Sequence, residues 1–300
     1  MTKNEINIKL AEISKAFQVK NLQNQAKLEK LLFSLYNNQS QKIIRMLSSG
    51  VVEFSDIKII NTALDTVRNT LNTKTSEAII KNVDKSIQLG ISSVKGQLTV
   101  FKNILPAEIV EKEIIPSVFN QVSLSAADAM AKLKDGLTVS DKIWNTNLTS
   151  LDQMRAYMMQ SMIEGKDFAE VYQQIKSFLV LPDVDLRTKK WIQFFKDNPP
   201  GKGVYRSAWK NVLRLLRTET NRAFRESLKQ YAKQRVWVQG IKWMLSDAHP
   251  EMDECNFFAS DDLYGLGPGV YTPEGVPDEH PQGICYLVMV PNYEYIGVQF

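Results

Sequence analysis

The sequence predicts a mostly helical protein that ends in a small, loop-rich α+β module. Two observations predict this class. No Gly or Pro occurs before Gly50, and apolar residues recur in that stretch at spacings of three and four, which is the period of one helix face. The last 60 residues, by contrast, hold six of the 11 prolines and six of the 14 glycines, so helix breakers are gathered at one end. A chain of 300 residues that is 44% apolar and 23% charged is globular in composition and too long for one small core. That composition excludes a disordered or fibrous chain. No apolar run reaches the roughly 18 residues of a membrane span. The start Met1-Thr2-Lys3-Asn4-Glu5 lacks an apolar signal core. No membrane partner and no export by that route are expected.

The elements follow in order. Residues 1–135 read as a helical bundle or a long helical hairpin. Ile6, Leu10, Ile13 and Phe17 line one face, and Leu28, Leu31, Leu32 and Leu35 continue it. After a break near Ser48-Ser49-Gly50, the stripe Ile60, Leu64, Val67 and Leu71 resumes, and Thr75-Ser76-Glu77 reads as a polar helix start. Such stripes need partners, which a bundle supplies. Residues 136–200 read as a helical middle region. One helix is capped at Ser140-Asp141, a second spans Leu151 to Ile163, and a third, Phe168–Leu179, is capped by Asp167 and closed by Pro182. Asn198-Pro199-Pro200-Gly201-Lys202-Gly203 is the clearest break in the chain.

Residues 201–300 form the last module. A long helix from about residue 204 to 234 carries the apolar stripe Trp209, Leu213, Leu216, Ala223, Phe224 and Tyr231. Segments 235–246 and 285–291 are rich in Val, Ile, Trp and Tyr and read as strands. Charge divides at the same place. Residues 241–300 contain one base, Lys242, against ten acids, a net −9, while the rest holds 36 bases and 23 acids, a net +13. The formal total of +4 is therefore a basic helical body joined to an acidic tail.

Both histidines and both cysteines of the chain lie in that tail, at His249, Cys255, His280 and Cys285. Two cysteines exclude a disulfide framework, and two histidines exclude chemistry that needs several. Uniform scattering would place all four in so short a window in roughly one chain in a hundred, so the cluster reads as a metal site. Cys2His2 is a known closed zinc set, able to staple a segment that has no core of its own. The spacing His-x5-Cys, then His-x4-Cys, is not a standard finger spacing. Other readings of the same residues are Asp253 in place of His249 or Cys255, a Cys255–Cys285 disulfide, or simply two surface imidazoles and two half-buried thiols.

Three further motifs carry less. His249-Pro250-Glu251 matches the first half of a zinc-deaminase signature, but the Pro-Cys-x-x-Cys half is missing. Gly265-Leu266-Gly267-Pro268-Gly269 lacks the Gly-Lys-Ser/Thr ending of a phosphate loop and follows Asp261-Asp262, so it reads as a glycine-built turn. On the long helix, Arg206, Lys210, Arg214, Arg222, Arg225 and Lys229 are candidate contacts to DNA phosphates. The bland alternative is a solvated basic face. Arg217-Thr218-Glu219-Thr220-Asn221 is a run of mostly poor helix formers inside strongly helical flanks. Such a conflict points to a polar cluster, centred on Arg217, Glu219 and Asn221, bonded to another part of the fold.

At these residues the chain resembles the phage head morphogenesis family, the minor head proteins similar to the F protein of phage Mu. The resemblance rests on the Arg217-Thr218-Glu219-Thr220-Asn221-Arg222-Ala223 stretch. It rests more specifically on the tail, with Asp253-x-Cys255, the run Leu263 to Tyr271, Pro277, His280-Pro281 and Cys285. Gly136-Leu137 through Ile143-Trp144 adds a weaker match. Together they cover about residues 136–290. Where relatives carry a further acidic or cysteine residue after the first cysteine, this chain has Asn256 and Phe257, so the metal site either relies on His249 or is degenerate.

The resemblance implies a virion protein of a tailed phage: a non-enzymatic minor capsid component, present in a few copies inside the head near the portal. Its expected partners are the portal or major capsid protein and packaged DNA, its cofactor a structural zinc, and its location the virion and, during assembly, the host cytoplasm. Head morphogenesis and DNA packaging or delivery are the expected tasks. The alternative is a metal-dependent enzyme acting on nucleic acid, nuclease-like or deaminase-like, with Glu251, Asp253 or Glu254 as general base.

Overall fold

The computed structural model describes residues 2–48, 57–102, 105–113, 116–131, 136–164, 168–180, 207–249, 252–295 and 297. Helices dominate. In chain order they are α1 (Lys3–Ser48), α2 (Ile57–Phe101), α3 (Ala107–Glu113), α4 (Pro116–Met130), α5 (Val139–Ile163), α6 (Phe168–Leu179), α7 (Ala208–Lys233) and α8 (Glu254–Ser260). Three strands, β1 (Val238–Met244), β2 (Val270–Tyr271) and β3 (Tyr286–Pro291), lie in the C-terminal region. The mostly helical class with a small C-terminal α+β module is therefore the observed one. The caps and breaks read at Ser49-Gly50, Asp167, Pro182 and 198–203 lie outside the described residues.

Three helix boundaries differ from the sequence reading. α2 runs unbroken through Thr75, whose side chain is buried and bonds the hydroxyl of Tyr36. α5 is one helix, not two. Its polar middle looked like a gap, yet Asn147 and Ser150 are buried there, so tertiary bonding outweighs their poor helix propensity. The N-cap of α5 is Thr138. Its hydroxyl accepts from the Asp141 amide at 3.1 Å, and Asp141 accepts from the Thr138 amide at 2.9 Å. This is a reciprocal capping box, and those bonds hold the Asp141 carboxyl below its ordinary value.

The chain forms two compact units, each assembled from separated segments. One comprises Lys27–Ile80 and Gly136–Leu215. Its core is helical: Leu32 and Ile43 from α1, Leu64 and Leu71 from α2, Ile143 and Met154 from α5, and Val212 from α7 are buried. A polar chain runs through it. Tyr36 donates to Asn147 Oδ1 at 2.8 Å, and Asn147 Nδ2 donates to Asn72 Oδ1 at 2.7 Å. Burial pushes the Tyr36 phenol up to about 12. Buried polar chains of this kind fix which helix faces meet.

The other unit comprises Met1–Ala26, Lys81–Asp135 and Leu216–Phe300. Its sheet has the order β2-β1-β3, with both pairings antiparallel. Trp243 on β1 stands opposite Leu287 on β3, and Ile241 lies between Met289 and Tyr271. β3 is a nearly continuous buried apolar run. Among the described residues no fourth strand pairs with its outer edge, and helical side chains bond it instead. Ser14 Oγ donates to the Leu287 carbonyl at 2.6 Å, Gln18 Nε2 to the Ile284 carbonyl at 3.0 Å just before the strand, and the Met289 amide to Gln97 Oε1 at 3.0 Å. An open strand edge is a pairing hazard, and these bonds close it.

Helix α2 meets α7 at very short range in this unit. A Cβ on Gly90 would overlap the Phe224 carbonyl and would stand 2.7 Å from Ser227 Cβ. Ser227 Oγ donates to the Ile87 carbonyl at 3.0 Å across the same contact. An aromatic group closes the core beyond it. Trp237 stands edge-on to Phe101 at 5.3 Å and to Tyr231 at 6.4 Å, and Tyr231 stacks on Phe119.

Candidate metal centre

Four short pieces of the C-terminal module bring the chemistry together. His249 closes the turn after β1, its amide donating to the Ser246 carbonyl at 2.9 Å. Cys255 lies in the first turn of α8, which Asp253 caps by accepting from the Cys255 amide at 2.7 Å. His280 sits in the loop before β3, where the Gly283 amide donates to its carbonyl at 3.1 Å. Cys285 immediately precedes β3. Both cysteines are buried and unbridged, so they form no disulfide.

Asp253, Cys255, His280 and Cys285 form a candidate metal-binding group. The donor atoms of Asp253, Cys255 and His280 lie within 4.8 Å of one another, as do those of Cys255, Glu279 and Cys285. Cys255 belongs to both sets. His249 stands beside them, with Nδ1 3.9 Å from Cys285 Sγ.

The hydrogen bonds behind the imidazoles show which nitrogen each turns inward. Asn256 Oδ1 accepts from the Asp253 amide at 3.0 Å, which fixes the carboxamide, and lies 2.9 Å from His249 Nε2. Nε2 therefore carries the proton, and the Nδ1 lone pair faces Cys285. His280 Nδ1 lies 3.1 Å from the Pro281 carbonyl, which can only accept. Its Nε2 is left bare in the neutral ring. That Nε2 is buried and makes no hydrogen bond among the described residues, although Asp253 Oδ2 is 2.9 Å away. A lone pair facing a carboxylate at that range requires a cation between or beside them, either a proton or a metal ion. Fixing the outer nitrogen so that the inner one is free is the usual support of a metal-bound histidine.

A second layer binds this cluster to α7. The Glu279 side chain is fully buried. One oxygen accepts from the Cys285 amide at 2.8 Å and lies 3.9 Å from Cys255 Sγ. The other pairs with Arg225, which also donates to the Cys285 carbonyl at 3.3 Å. Burial pulls the Arg225 guanidinium down to about 10, opposed by the cysteines and nearby acids. The hydrogen bond between the thiols holds Cys255 well above and Cys285 below the ordinary thiol value, so Cys285 ionises first. The bond to Asn256 raises His249 above the ordinary imidazole value, with burial opposing it.

The Arg217–Asn221 stretch of α7 faces the same loop. Asn221 Nδ2 donates to the Gly283 carbonyl at 2.6 Å, and its Oδ1 accepts from Asn21 at 3.1 Å and Gln25 at 2.6 Å. The Gln282 amide donates to Thr218 Oγ1 at 3.1 Å, and Arg217 donates to Gln282 Oε1 at 3.3 Å. Glu219 is buried and pairs with Arg222 at 3.4 Å.

Three of the candidate phosphate contacts on α7 are engaged within the fold. Arg225 is buried on Glu279, Arg222 donates to the Ala129 carbonyl at 3.0 Å, and Lys229 pairs with Glu226. Lys210 and Arg214 are half-buried. Arg206 lies outside the described residues, as does Glu251. The glycine run is a turn. Gly265, Gly267 and Gly269 have positive φ, and the Asp262 carboxylate accepts from the Gly267 amide at 2.8 Å, where a phosphate would otherwise bind. A Cβ at Gly269 would strike the Ala259 backbone.

Comparison with protein-family models, with curated proteins and with solved structures found no match to this chain. The site's own chemistry therefore carries the functional reading. Sequence reasoning missed Glu279, Arg225 as its counter-ion, and Asn256 as the support of His249. The available signal was local: an acid directly before His280, and a carboxamide at the third position of a helix whose cap is Asp253.

Proposed function

We propose that this chain is a structural minor head protein of a tailed phage, with a zinc-stapled C-terminal module that docks on the portal or capsid protein. Head assembly and DNA packaging or delivery are its tasks, and it performs no catalysis. One observation carries the reading. The two sequence features behind the family resemblance are in contact: Asn221 of the helical motif bonds Gly283 in the His280–Cys285 loop at 2.6 Å. A shared role for these distant motifs is what a single module with one structural task requires.

Zinc suits the donors. His249, Cys255, His280 and Cys285 would hold it, two soft thiolates and two imidazoles making a complete tetrahedral set. Zinc supplies cross-linking here, tying the turn after β1, the start of α8 and the approach to β3 into one body. A full protein set leaves no position for a reactive water, which separates a structural from a catalytic site. Among the carboxylates read as candidate bases, Asp253 is engaged as the α8 cap and Glu254 points to solvent.

Two experiments test the two halves of the reading. Metal analysis of the purified chain is expected to return one zinc per chain, and none at all would remove the staple. Mass spectrometry of gradient-purified particles from the phage that carries the gene is expected to find this chain in heads. Its absence from complete particles would overturn the virion assignment.

A further inference from the structure

The acidic module keeps apolar side chains in solvent. Met252 is 90% exposed, Phe257 62% and Leu263 70%. Met252 and Phe257 occupy the positions before the cap and in the second turn of α8 that normally pack on one another. Here that pair remains open. The exposed acids Glu254 and Asp262 lie at the start of α8 and just after its end, and no Lys or Arg occurs anywhere in residues 243–300. Apolar anchors inside a rim of one charge sign describe a docking surface for a segment of the opposite sign.

The chain itself carries such a segment. Helix α1 holds eight bases against three acids. On its outer face Ile8 is 49% and Val19 44% exposed, and the exposed Lys9 and Lys20 run alongside them. Ile8 and Val19 stand eleven residues apart, as do Lys9 and Lys20, which is close to three full helical turns. They share one side of α1, where the exposed Glu12 and Lys15 stand between Ile8 and Val19 and the bases outnumber the acid. Within a single copy, Lys15 of α1 already pairs with Asp247 of the acidic segment at 2.6 Å.

We propose that the α8 face of one copy docks on the outer α1 face of a second copy, so that the chain associates head to tail. The two surfaces differ, so each copy offers one of each. Such contacts add subunits until a ring closes or a filament grows. The apolar anchors supply the affinity, and the opposed charges set the orientation and make the contact sensitive to salt.

Sedimentation velocity of the full-length, metal-loaded chain tests this. The expected result is a concentration-dependent series of species larger than a dimer that recedes as salt is raised. Phe257→Glu is expected to leave only monomer while keeping its metal content and helicity, because the side chain lies in solvent. Val19→Glu with Lys20→Glu is expected to do the same from the other surface. Mixing the two variants restores one intact contact, so a 1:1 dimer that grows no further is expected. A chain that stays monomeric at every concentration overturns the proposal. So does association that either variant leaves unchanged, or a mixture that stays monomeric, which would mean that like surfaces pair or that another protein covers the α8 face.

Discussion

The carboxamide of Asn221 donates to the carbonyl of Gly283 at 2.6 Å. The same side chain accepts from Asn21 and Gln25 of α1, and Asn21 in turn accepts from Ser86 of α2 at 2.8 Å. One buried residue thus links α1 and α7 to the His280–Cys285 loop and, through Asn21, reaches α2. Removing it strands several polar groups at once. Asn221→Leu is expected to destabilise the fold by about 2–4 kcal/mol, since each buried group left unsatisfied costs about 1–3 kcal/mol. Urea denaturation measures it, and a midpoint within error of the parent would show that water replaces these bonds.

Glu279 and Arg225 make a second test. Both are buried on each other. Glu279→Gln leaves a guanidinium in the core without its counter-charge, and breaking such a pair costs about 3–5 kcal/mol. Arg225→Met combined with Glu279→Gln removes the stranded charge. The double variant is expected to recover a large part of the loss in a denaturation cycle. If the single and double variants are equally unstable, the pair is not the source of the cost.

The helical body was legible because Gly and Pro are absent from its start and apolar residues hold their period. Ile6 and Leu10 are buried where that period places them. The seam beyond them was not legible. Its core positions are Ser14, Gln18, Asn21 and Gln25, which keep a helical spacing while ceasing to be apolar. A reading built on hydrophobic period loses the face at that point. Those side chains are polar because what they meet is polar: the edge of β3 and the carboxamide of Asn221. The His/Cys cluster was visible through scarcity, since the chain has no other histidine or cysteine. Glu279 was hidden among ten acids, and only burial distinguishes it.

Gly90 offers a packing test with an unusual sign. In an exposed helix interior, alanine is better than glycine by about 1 kcal/mol. At Gly90 the new methyl would overlap the Phe224 carbonyl and crowd Ser227, and main chain cannot yield as a side chain can. Gly90→Ala is expected to destabilise the protein by about 1–3 kcal/mol as an overpacked contact. Gly96→Ala meets mainly the flexible Ile13 side chain at 2.8 Å and is expected to cost less. Equal midpoints for the two variants would contradict the close α2–α7 contact.

Cys285→Ser tests how far the metal centre reaches. The variant is expected to lose its metal and to exchange amide hydrogens faster across 249–291. The helices of the other unit, α5 and α6, are expected to keep their protection. That unit has its own core around Ile143, Met154 and Val212, which makes no use of the site. Global unfolding would contradict a division into two compact units. Unchanged metal content would show that Asp253 or Glu279 replaces the lost sulfur.

Asn256 separates a metal site from a polar cluster that merely resembles one. Its Oδ1 accepts from the Asp253 amide and faces His249 Nε2 at 2.9 Å, so it fixes which imidazole nitrogen is free. It touches no thiol and is no ligand in this arrangement. Loss of such support behind a metal-bound histidine lowers metal affinity by about 10–100-fold. Asn256→Ala is expected to weaken zinc binding by that factor in competition with a chelator. Asn256→Asp keeps an oxygen acceptor at the same place and is expected to retain most of the affinity. Equal affinity in all three proteins would place His249 outside the coordination shell, leaving Cys255, Cys285, His280 and Asp253 as the donors. Zinc affinity that falls in the alanine variant and holds in the aspartate variant assigns the Nδ1 lone pair of His249 to the metal.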